Sequence, residues 1–177
     1  MHGMLSASQT LSAVIAEHAG APDEIRPHLT GAALPAALHY WESLRGARRF
    51  PARSDFDPMA LRQHLPVIYL MEATPEGEFR YRVVGEMISE FFGTGSPVGR
   101  TPQDVFGATA EVALAPYRLV CQRGCLYTHT ASAAWLYKNR NYVHYRVLLL
   151  PMGKSEARVD RILGVVEFVA EEAARGD

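Results

Sequence analysis

Apolar residues recur at helical spacing at Leu11, Val14 and Ile15, with His18 on the same side, and Gly20 followed by Pro22 ends the run. This pattern predicts a first amphipathic helix over Leu5 to Ala19. Two prolines between Ala21 and Thr30, with Gly31 after them, read as a linker. Leu34, Ala37, Leu38, Trp41 and Leu44 then share one helical face, with Pro35 in the first turn and Gly46 past the end, so a second helix is expected from Leu34. Asp57 ahead of Pro58 has the form of an N-cap with a first-turn proline and predicts a short helix through His64.

From Val67 the period changes. Val67 to Ala73 is apolar and β-branched, Thr74-Pro75-Glu76-Gly77 is turn chemistry, and Phe79 to Gly85 alternates with Phe79, Tyr81 and Val83 on one face, which together predict a hairpin. Glu86 to Phe92 reads as a short helix stopped by Gly93, and Thr101-Pro102-Gln103-Asp104 as a capping box. Ala108 to Arg123 is helical in composition, with Pro116 expected to kink or split it and Gly124 to close it. Three strands are expected after that, Leu126 to Tyr137, Asn141 to Leu150 and Ile162 to Ala170, the first two joined by Lys138-Asn139-Arg140. Two strands, several helices and three strands imply an α+β fold, a five-stranded antiparallel sheet with helices on one face and two helices leading into it. Residues 1–33 are expected to be a helical extension and linker, and 34–177 the domain proper.

Composition narrows the class. A chain of 177 residues can bury a core without disulfides or metals, and 18 Lys and Arg against 19 Asp and Glu leave no bulk attraction to nucleic acid or anionic membrane. The longest apolar run, Val147 to Met152, is far short of a membrane span. Two cysteines, Cys121 and Cys125, are too few for a disulfide framework, so a soluble protein of the reducing cytoplasm is expected. Arg45, Arg48, Arg49 and Arg53 follow the second helix and read as a solvated connector with one arginine paired to Asp55 rather than as a docking patch.

The motif text from Tyr40 to Gly85 goes further. Tyr40-Trp41, Arg53-Ser54-Asp55, Asp57-Pro58, Leu65-Pro66, Tyr81-Arg82 and Gly85, with Gly99-Arg100 ahead of Thr101, resemble a family of bacterial proteins made of little more than one PAS-type sensory domain, over roughly Leu34 to Val169. The resemblance implies a small-molecule pocket between the helical middle and the inner sheet face, and a sensor or adaptor that works through contacts with other signalling proteins. No output segment is expected after the last strand, which ends seven residues from Asp177. Cofactor signatures of PAS relatives are missing: Val120-Cys121-Gln122-Arg123 departs from the flavin photoreceptor run Asn-Cys-Arg-Phe-Leu-Gln, and Ala108 to Gly124 has no haem-ligating histidine, so haem would need His129 or His144. The cofactor is left unknown.

Candidate ligand-binding residues are Tyr81, Arg82, Phe91, Tyr117, Cys121, His129, Tyr142 and His144. Tyr142, His144 and Arg146 share one face of their strand and would suit a polar or anionic ligand if that face points inward; Val143, Tyr145, Val147 and Leu149 form the more apolar opposite face and are equally eligible for the core. Cys121, Cys125 and His129 lack the spacing of a zinc site, and a Cys121–His144 dyad lacks an orienting group, so neither a catalytic nor a metal set is assigned. A homodimer through the N-terminal helices is expected, because the sheet face away from the central helices needs cover. The alternatives are a cone-shaped α+β enzyme using general acid–base catalysis and a ligand-free interaction domain.

Overall fold

A computed structural model describes residues 14–135 and 144–170. Six strands form one antiparallel sheet: β1 Val14–Gly20, β2 Ile68–Ala73, β3 Phe79–Val84, β4 Leu126–Ser132, β5 His144–Met152 and β6 Arg161–Val169, in the spatial order β1-β4-β5-β6-β2-β3. The helices are α1 Pro22–Ile25, α2 Ala33–Arg45, α3 Glu86–Phe92, α4 Pro102–Phe106 and α5 Glu111–Arg123, joined by short 3-10 segments such as Pro58–Val67. This is the α+β architecture expected, with one strand more.

The extra strand corrects the reading of a first helix over Leu5 to Ala19. Val14–Gly20 is extended and pairs with β4 from Val14 opposite Ala131 to Gly20 opposite Leu126. Residues 5–13, with Leu11, lie outside the described residues. Pairing satisfies backbone groups along what would otherwise be an open edge of β4, and this outweighs a sparse helical pattern. β1, which falls in the segment expected as an extension, is thus a strand of the same sheet.

Local chemistry sets most other elements. Leu34, Ala37, Leu38 and Trp41 are buried along one face of α2, which ends at Gly46. Asp57 accepts a hydrogen bond from the Met59 N–H at 3.0 Å, and Thr101 and Asp104 cap α4 reciprocally. α5 runs through Pro116 as a single helix, so the proline does not split it, and Gly124 closes it. In the arginine connector Arg48 pairs with Asp55 at 2.8 Å. The Lys138–Arg140 connection lies outside the described residues.

One strand departs from strict alternation. Tyr81 pairs with Met71 and Val83 with Leu70, so Arg82 is a bulged extra residue. The bulge turns Val83 away from Phe79 and Tyr81 and leaves it 46% exposed, correcting the expectation that all three share a face. Just beyond, a Cβ on Gly85 would lie 2.3 Å from the carbonyl oxygens of Leu65 and Pro66. Only glycine lets that backbone crossing form, which gives the Leu65-Pro66 and Gly85 motifs a shared physical reason.

The sheet is covered on both faces. α2 packs on β5 and β6, and the Trp41 indole N–H donates to the Pro151 carbonyl at 2.8 Å. Leu148, Leu150 and Met152 are fully buried on this outer face. The cover that this sheet face was expected to need therefore comes from α2, the second of the expected N-terminal helices. The inner face lies under α3 to α5.

Candidate functional site

Strand pleat decides which side chains enter the space under the helices. Successive residues point to opposite faces, so Tyr145, Val147 and Leu149 of β5 face inward together, as do Val166 and Phe168 of β6 and His129 of β4. Tyr69 of β2 and Tyr81 of β3 join them, while Ile88, Phe91 and Phe92 of α3, Phe106 of α4, and Val112, Ala113, Pro116 and Tyr117 of α5 close the roof. Between these walls is a narrow cavity of about 50 Å³. Gly164 shapes its floor: a Cβ there would overlap the Tyr69 ring at 2.0 Å.

Aromatic rings interlock around this space. Phe91 lies 4.6 Å from Phe168 and 5.6 Å from Tyr145, centroid to centroid, and Phe92 meets Phe106 edge-on at 4.8 Å. His129 stands between Tyr127 at 5.5 Å and Tyr145 at 5.6 Å, both edge-on. Such contacts fix ring positions with a specificity that aliphatic side chains lack.

The polar groups fall into two sets. The Tyr117 hydroxyl donates to that of Tyr69 at 2.9 Å, a completed bond between buried groups. Tyr81 Oη, although close to that pair, completes no hydrogen bond, and neither Nδ1 nor Nε2 of His129 finds a partner among the described residues. Tyr81 is 0% and His129 6% exposed, so protein structure rather than solvent surrounds both. Burial pushes the phenols of Tyr69, Tyr81 and Tyr117 well above their ordinary range, and it depresses His129 from 6.5 to about 4. All four are uncharged at neutral pH. Nearly all buried polar groups in proteins are paired, so three unpaired atoms on two residues that line one cavity need an explanation.

Four of the expected site residues, Tyr81, Phe91, Tyr117 and His129, line this cavity. Arg82 does not; it is bulged out of β3 and pairs with Glu72. His144 is half-buried on the outer face, where its neighbour but one, Arg146, pairs with Glu167 at 3.5 Å and Thr30 donates to the same carboxylate at 2.8 Å. The alternative of a polar β5 face turned inward is thereby corrected: cross-strand charge pairing holds that face out, and the apolar face with Tyr145 goes in. Cys121 packs against the core without lining the cavity, and burial pushes its thiol up to about 11, which keeps it protonated and unreactive. Tyr142 lies outside the described residues. Sequence reasoning missed Tyr69, Tyr145, Phe92, Phe106 and Phe168; the alternation of Tyr145 with Val147 and Leu149 was a usable signal.

Among the described residues no group of three or more His, Cys, Asp and Glu is placed to hold a metal ion, and no helix is long and apolar enough to cross a membrane. A larger surface groove of about 440 Å³ beside Phe56, Pro58 and Val83 has none of the buried unpaired atoms.

A helix-roofed antiparallel sheet enclosing a small cavity is the architecture of a sensory domain. The PAS domain family model matches residues 29–167, and the chain belongs to that family. Among solved structures, one titled "Structure of an RNA-binding Light-Oxygen-Voltage Receptor" is similar at 16% identity and a TM-score of 0.44, covering 90% of this chain and 40% of that one. This chain thus spans well under half the length of that receptor. No curated protein matches.

Proposed function

We propose that this protein is a cytoplasmic PAS-type sensor that takes a small molecule into the cavity under α3 to α5 and passes occupancy to a signalling partner through surface contacts. It is a binding module, not an enzyme. The observation that carries this reading is the set of unpaired polar atoms, Tyr81 Oη and both nitrogens of His129, in a cavity otherwise lined by rings and aliphatic groups. Apolar pockets with a few convergent polar groups are the usual form of a ligand site. A ligand-free interaction domain is the second reading, and the small volume favours it; it leaves the unpaired atoms unexplained.

The test compares the wild type with Ala113→Leu, which places three more carbons in the cavity. Small molecules released on denaturation of each purified protein would be measured by mass spectrometry. Release from the wild type but not from Ala113→Leu supports the ligand site. Equal release from both favours the ligand-free domain, as does no release from either when xenon is also excluded from the wild-type cavity.

A further inference from the structure

Resting on the reading of the cavity as a ligand site, we infer that its occupant is a small uncharged molecule of a few non-hydrogen atoms that carries both a hydrogen-bond acceptor and a donor on a planar, amide-like frame. Four features select it. Among the described residues no Lys, Arg, Asp or Glu lines the cavity, so an ion entering it would be desolvated without a counter-charge. The lining phenols of Tyr69, Tyr81 and Tyr117 and the imidazole of His129 are themselves held neutral by burial and supply none. Neutral imidazole offers one N–H donor and one bare nitrogen acceptor, and the Tyr81 hydroxyl offers a further donor. A ligand that accepts from the Tyr81 hydroxyl and donates to the bare His129 nitrogen meets one unpaired atom of each residue, which a carboxamide group does and a hydrocarbon does not. Size sets the fourth limit: about 50 Å³ is roughly a third of the 150 Å³ that admits benzene in an engineered apolar cavity. Flat ring walls favour a planar molecule over a branched one.

Three isosteric probes differ only in charge: formamide, formate and formamidinium. Each would be titrated at pH 7.5 and constant ionic strength into the wild type, Tyr81→Phe and His129→Leu, following the His129 and tyrosine ring resonances by NMR. The affinity ceiling for three heavy atoms predicts a Kd of about 1 mM or weaker for formamide. Tyr81→Phe and His129→Leu should each weaken it roughly three- to tenfold, the effect of one net hydrogen bond. Thermal unfolding of both variants confirms that they are folded. Formate or formamidinium shifting the cavity resonances at lower concentration overturns the inference, as does formamide binding unchanged in both variants. Xenon separates the two levels of argument, since it needs space but no hydrogen bond. Xenon entry without binding of any of the three probes overturns the ligand chemistry and leaves the cavity a ligand site; exclusion of xenon and all three probes overturns both.

Discussion

The two faces of this sheet are built from the same strands and solve opposite problems. On the outer face Leu34, Leu38 and Trp41 of α2 meet Leu148, Leu150 and Met152 with nothing polar left over: the Trp41 N–H is bonded to Pro151, and Arg146 is paired with Glu167 at the rim. On the inner face the rings are as well buried, yet space remains and three polar atoms go without partners. Low dielectric makes an unpaired buried group costly. The outer face is organised for stability, and the inner face gives up stability by leaving space and three polar atoms unpaired.

The largest way to break this contrast is to truncate the outer face. Leu38 is 0% exposed, so Leu38→Ala removes buried methyl groups and leaves a cavity the rigid sheet cannot fill. The expected loss is about 2–5 kcal/mol, read from urea unfolding with an unchanged m-value. A loss below about 1 kcal/mol would mean that α2 is loosely held and that the contrast between faces is wrong.

Next in size is the acid response of the inner face. His129 titrates near 6.5 when unfolded and at about 4 when folded, because burial disfavours the imidazolium. Between these values the unfolded chain binds more protons, so stability from this residue is complete above pH 6.5 and drains away as pH falls toward 4. The full difference is roughly 3 kcal/mol. Asp55, Glu72 and Asp104, whose pKa values are also lowered, add their own acid sensitivity. Comparing wild type with His129→Leu by urea unfolding at pH 7, 6, 5 and 4 isolates the histidine. The variant should lose stability less steeply, and parallel curves would show that His129 is solvated or bonded in the fold.

How much of this was legible from sequence depends on whether a signal was local. Capping by Asp57 and Thr101 and the buried stripe of α2 each involve residues a few positions apart, and they appear as the sequence pattern predicts. β1 was hidden because an edge strand with mostly exposed side chains has no apolar alternation to show, and its partner β4 lies more than a hundred residues away. The site was half legible for the same reason. Tyr81, Phe91, Tyr117 and His129 stand out by residue type, whereas the choice between the two faces of β5 rested on the register that sets Arg146 against Glu167. Arg82 was misread because a bulge is a property of a strand pair, invisible in either strand alone.

The smallest expected effect separates two hydroxyls in one cavity. Tyr117 donates to Tyr69, so Tyr117→Phe leaves a buried hydroxyl without its partner, at a cost of about 1–2 kcal/mol. Tyr81 Oη has no such bond, and Tyr81→Phe removes an unsatisfied group while keeping the ring against Tyr69 at 5.9 Å. The change should be within about 0.5 kcal/mol of zero or slightly stabilising, because replacing an unbonded polar atom with an apolar surface of the same shape removes a desolvation cost. Both variants are read by urea unfolding of ligand-free protein at pH 7.5. A loss from Tyr81→Phe matching that from Tyr117→Phe would show that its hydroxyl is bonded within the fold, and the inner face would then be as fully satisfied as the outer one.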